Sequence, residues 1–204
     1  MDIRELADTV DALIRRKQFA QADALLSEAR KEAADKADLD TLDFVLSELA
    51  VLCRLMEPPD IVRAEEFCLE REAARNTGYN KWQTAMMLYW SAHDCSRTVT
   101  KAREAVQKAG EEGDTKTAYS ALSLLGLALL ELDRTDEASV TLREIEDMVR
   151  QRRPIVAGDE TLFLERANTR GLERQTIKSI AIILAPVCRD AAFAKRLQAL
   201  SLLE

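Results

Sequence analysis

A chain of 204 residues and 22.9 kDa has room for one ordinary domain, or for roughly four to six small helical repeats with end caps. Hydrophobic residues at 47% and charged residues at 32% exclude wholesale disorder, while only 6 Gly, 4 Pro and 5% aromatics argue against an all-β fold. A formal charge of −7 without a long basic patch makes nucleic acid a poor partner, and no apolar run approaches the ~18 residues that a membrane span needs.

Apolar residues recur at intervals of three and four, and the breaks between these stretches are short, which predicts about ten helices joined by tight turns. The first pair runs from about Ile3 to Arg16 and from Phe19 to Ala34, divided at Lys17-Gln18. The second starts near Asp40, read as a cap, passes Val45, Leu49, Leu52 and Met56, and breaks at Glu57-Pro58-Pro59-Asp60 before a partner helix that ends near Arg75. Gly78 suits a left-handed helix end, and Asn80 with Gln83 resembles a capping box for a third pair over about 81–93 and 97–109. Gly110 and Gly113 bracket the next turn, Asp114 caps a helix through Glu131, and Thr135 is read as the cap of its partner.

Helix 115–131 is apolar nearly all round, which predicts a central buried element. Arg150, Arg152 and Arg153 read as the basic end of a helix before a linker, Pro154-Ile155-Val156-Ala157-Gly158. Asp159 is the expected cap of the next helical stretch, which runs as far as Pro186 and which Gly171 leaves open as one long helix or two short ones. A last amphipathic helix from Asp190 presents Phe193, Leu197, Leu200 and Leu203 on one side, able to cap the chain or to pair with a second copy.

Second helices share a pattern of a small residue followed by others at four and seven positions: Ala22-Leu26-Ala29, Ala64-Cys68-Arg71, Ala102-Val106-Ala109 and Ala138-Leu142-Ile145. The alanines are spaced by 42, 38 and 36 residues, a repeat that lets antiparallel helices approach closely. Over about residues 3–150 the chain resembles the tetratricopeptide repeat family, in the longer, irregular form of bacterial regulatory proteins. The fourth unit carries the resemblance best, with Leu122, Leu125, Gly126 and Leu129 at the family's large, large, small and large positions, and Ala138 twelve residues after Gly126. Trp82 and Tyr89 match the aromatic positions of the third unit, where Met86 replaces the small residue, and Phe19 and Ala22 match the first, where Val10 replaces it. The second is weakest, with Arg71 in place of the last Ala.

The resemblance implies an all-α, right-handed superhelical solenoid, with four helix pairs over 1–153 and a degenerate fifth pair plus capping helix over 154–204. It also implies a non-catalytic scaffold or adaptor whose first helices line a concave groove for a protein or peptide segment. The groove-facing positions are then Arg15, Arg54, Asn80, Gln83, Met87, Trp90, Ser120, Ser123, Leu127 and Glu131. Trp90 is the expected anchor, because tryptophan brings large contact area at little entropy cost. The Lys/Asn/Asn/Lys/Arg carboxylate clamp of chaperone-binding members cannot be placed here. The alternative within this class is a sensor that responds to a peptide or small ligand and acts on a separate effector.

Catalytic chemistry finds little support. Cys53, Cys68, Cys95 and Cys188 are scattered and read as small buried hydrophobes, and His93 continues the stripe Trp82, Met86, Tyr89 and reads as a core histidine. No phosphate loop, H-E-x-x-H or G-x-S-x-G motif occurs. No enzyme activity, cofactor or metal is therefore expected. The N-terminus shows no basic region followed by an apolar stretch, so the expected location is cytoplasmic.

Overall fold

The computed structural model describes residues 2–151 and 158–203. Among them are eleven α-helices, a 3-10 turn at Ala185–Val187 and no strand. The helices are α1 (Ile3–Arg15), α2 (Phe19–Asp35), α3 (Leu39–Leu55), α4 (Ile61–Ala74), α5 (Gly78–Trp90), α6 (Cys95–Glu112), α7 (Thr115–Glu131), α8 (Thr135–Gln151), α9 (Gly158–Thr169), α10 (Arg174–Leu184) and α11 (Ala191–Ser201). The fold is all-α: α1 to α4 each pack on the next, as do α5 to α8, whereas α9 packs mainly on α7, and α10 on α8 and α11. It divides into two compact units, Met1–Asn76 with α1–α4 and Thr77–Glu204 with α5–α11. Of the expected linker 154–158, residues 154–157 lie outside the described residues, as do Arg152, Arg153 and the expected boundary after Arg153, and Gly158 opens α9.

Carboxylates start the helices. Asp38, Asp60, Asp94 and Asp114 each accept from the amide three residues on, at Thr41, Arg63, Arg97 and Thr117, and Asp190 accepts from Ala192 and Phe193. Several expected caps are corrected by this register. Asp38 rather than Asp40 caps α3, and Asp40 instead meets Arg75 at 2.5 Å. Thr77, not Asn80, caps α5, while Thr135 and Asp159 lie inside their helices.

Helix ends solve the shortage of glycine directly. The amides of Gln18, Asp38, Asp114, Arg134 and Leu172 reach back five residues to the carbonyls of Leu13, Ala33, Ala109, Leu129 and Ala167, closing each turn as a Schellman motif. The motif needs a left-handed residue, and besides Gly113 and Gly171 it is supplied by Lys17, Ala37 and Asp133, with φ of 57°, 51° and 56°. Gly171 therefore splits α9 from α10, which settles the open choice in favour of two helices.

Gly78 is not a helix end. It opens α5, where a Cβ would stand 2.5 Å from the Ala109 nitrogen, so its role is the close approach of α5 to α6. His93 is likewise displaced from expectation: it is exposed, at φ 53°, in the turn after α5. The helical stripe that suggested a core histidine ends at Trp90.

The four repeated alanines, Ala22, Ala64, Ala102 and Ala138, are all fully buried. In the first unit Val10, Leu26, Val45, Leu46, Leu49 and Leu52 complete the core. In the second unit α7 is central, buried at every residue from Thr117 to Leu130, with α5, α6, α8 and α9 packed around it. Arg71, the departure from the small-residue pattern, is buried and binds Asp43 of α3 through both Nε and Nη2, at 2.9 and 2.8 Å. A guanidinium thus replaces an alanine because a carboxylate sits opposite to receive its fork.

Candidate functional site

Within the second unit α5 and α9 both pack on α7, and a polar and aromatic cluster joins the three. Trp90, the last residue of α5, is 41% exposed. Its ring stands at 90° to the buried Tyr89 ring, with centroids 4.8 Å apart. The Tyr89 hydroxyl accepts from Arg166 Nη1 of α9 at 3.0 Å and donates to Glu131 Oε1, the last residue of α7, at 3.5 Å. Arg166 Nη1 also donates to Glu131. Just past the end of α9, Arg170 pairs with Asp133, itself just past the end of α7.

Burial sets the protonation of the groups in and beside this cluster. Burial pushes the Tyr89 phenol up to about 12, against the opposing pull of Arg166, so it stays protonated and keeps its donor role at neutral pH. Cys95, at the start of α6, has its thiol raised by burial and then by Glu131 and Asp94, which disfavours the thiolate a nucleophile needs. Burial also raises Cys53, and lifts Cys68 to about 11. All four cysteines are free, Cys53 and Cys68 buried and the other two partly so. Among the described residues no group of three or more side chains could hold a metal ion, and no helix is long and apolar enough to cross a membrane.

Of the ten positions expected to face a partner, the structure brings Trp90 and Glu131 into this cluster. Gln83 is half-buried, its amide donating to the Tyr79 hydroxyl at 2.8 Å. Asn80, Met87, Ser120, Ser123 and Leu127 are buried, and this corrects their assignment to a groove wall. Asn80 and Met87 share the inward stripe of α5 with Thr84 and Leu88, and the three α7 positions are enclosed by the helices around them. Arg15 and Arg54 belong to the first unit, both exposed, and Arg15 is turned back on Asp11 of its own helix.

Arg166 and the Tyr89 hydroxyl were missed in the sequence. A signal for them exists, since oppositely charged residues about one repeat apart recur in pairs: Glu131 and Arg166 are 35 residues apart, Asp133 and Arg170 37, Arg103 and Glu137 34, and Arg30 and Glu70 40. Such spacing places opposite charges at equivalent points, on helices or in the turns after them, about one repeat apart.

The fold and this surface define an all-α protein of helix pairs with an exposed tryptophan at the end of a first helix. No family model matches the chain, and no curated protein matches it. Among solved structures it is similar to BtubC (BKLC) from P. vanneervenii, with a TM-score of 0.66 and 18% identity over 97% of this chain and 80% of that one. At that identity the likeness is one of fold alone.

Proposed function

We propose that this chain is a tetratricopeptide-like, non-catalytic scaffold that binds a segment of a partner protein on the face carrying Trp90. The observation that supports the reading is the pairing of a solvent-exposed indole with a rigid base. Tyr89 is held from behind by Arg166 and Glu131, so Trp90 can present its face to a partner with little further ordering. Arg166 and Glu131 supply a polar rim that sets the orientation of the bound segment. The buried alanine repeat supports the comparison with tetratricopeptide proteins, whose first helices serve as the binding face.

The test is an affinity capture from an extract of the source cells with wild type, Trp90→Ala and Ile182→Ala side by side. Ile182 is an exposed apolar residue of α10 and serves as the matched control. A protein held by wild type and Ile182→Ala but lost with Trp90→Ala is the expected result, at about a thirtyfold loss of affinity. Equal recovery by all three would contradict the reading.

A further inference from the structure

The net negative charge of the chain resides in its first unit. Residues 1–76 contain 18 Asp and Glu against 11 Lys and Arg, a balance of −7, whereas residues 77–204 contain 18 of each sign. Within the first unit α1, α2 and α3 border a surface groove of about 270 Å³. Its floor is apolar, with Leu6 and Ala33 buried and Leu25 and Ala29 half-buried.

The rim is acidic. Glu28, Glu32 and Asp38 stand on it with a single cation, Lys36. That cation is already engaged, its Nζ lying 2.5 Å from Glu32 one turn back. Asp38 is occupied with the Thr41 amide and hydroxyl. Glu28 is exposed and, among the described residues, meets no cation.

We propose that this groove docks a basic, apolar-bearing segment of a partner protein, with aliphatic side chains seated over Leu25 and Ala29 and a Lys or Arg of the same segment on Glu28. Size favours a segment over a metabolite, because pockets that enclose small ligands run to roughly 300–1,000 Å³ and this groove lies below that range. Charge selects the sign of the occupant. An acidic segment would approach against the field of a unit carrying −7, whereas a basic one is steered toward it. Exposed ion pairs contribute little each, so the apolar floor supplies the hold and the rim supplies the selection. The surface belongs to the other unit from Trp90, and either reading can fail alone.

The probe is a short fluorescein-labelled helical peptide of leucine and lysine, titrated against the full chain by fluorescence anisotropy at low and high salt. Glu28→Lys changes the rim, and Glu66→Lys, at an exposed position of α4 outside the groove, makes the same change in net charge. Circular dichroism confirms that both variants fold. The expected result is salt-sensitive binding that Glu28→Lys weakens about fivefold to tenfold and Glu66→Lys by less than about twofold. A matching peptide with serine in place of leucine is expected not to bind. Absence of binding, equal weakening by the two variants, or equal binding of the serine peptide would each overturn the proposal, the last two by showing attraction to the acidic unit at large.

Discussion

The Phe163 ring of α9 occupies the space that a side chain on Gly126 of α7 would need: a Cβ at Gly126 would fall within the ring's own envelope. Both residues are buried at the centre of the second unit, so neither has room to retreat. Gly126→Ala is a helix-favouring change of about 1 kcal/mol wherever space permits. Here overpacking outweighs it, and a destabilisation of about 1–3 kcal/mol is expected by denaturant unfolding. In combination with Phe163→Ala the cost of the alanine is expected to fall, because the cavity left by the ring accepts the methyl. A stabilised single variant would contradict the packing described.

The left-handed helix ends make a prediction of opposite sign. Ala37 is exposed at φ 51°, where an L residue with a Cβ is strained by roughly 1–2 kcal/mol. Ala37→Gly relieves that strain but loosens the unfolded chain, leaving an expected gain of about 0.5 kcal/mol. Gly113→Ala, at φ 71°, is expected to lose about 1 kcal/mol. Thermal unfolding of the pair checks the signs, and two shifts in the same direction would contradict the assigned turn geometry.

Arg71 illustrates how much was legible in the sequence. Periodicity located the helices to within a few residues because each has an apolar stripe, and the small positions Ala22, Ala64, Ala102 and Ala138 are all buried where two helices meet. Arg71 broke that pattern because its partner Asp43 lies on the preceding helix, and no local spacing reveals such a pair. The same limit applies to the site. Trp90 was legible as a large side chain off the core stripe, whereas Asn80, Met87 and Leu127 sit on faces that only neighbouring helices bury. Tyr89 read as core, and its bond to Arg166 joins residues 77 apart.

The Arg71–Asp43 pair carries its own prediction. Arg71→Ala restores the repeat pattern yet takes the two-pronged guanidinium partner from a mostly buried carboxylate, with an expected loss of about 3 kcal/mol. Adding Asp43→Ala is expected to recover a large part of it. Denaturant unfolding of the double-mutant cycle measures the coupling, and additive losses would contradict a direct pair.

Glu48 of α3 sets a pH-dependent test. Burial first, and then Asp11, hold its carboxyl above the ordinary 4.5, with Arg71 opposing. The folded state therefore keeps the proton more tightly than the unfolded chain. Stability falls as pH rises from the ordinary 4.5 through the raised value. Glu48→Gln is expected to stabilise at pH 7, with the gain vanishing below the unfolded value. A gain that grows toward acid pH would reverse the sign of this account.

Site-specific photo-cross-linking tests the proposed binding face most directly. A benzophenone amino acid is placed at Trp90 and, separately, at the exposed Ile182, and irradiated in an extract of the source cells. A discrete cross-linked protein is expected at position 90, absent at 182 and diminished when Arg166→Ala is added. A cross-linking pattern identical at both positions, or none at position 90, would contradict the assignment of the Trp90 face as the place where a partner binds.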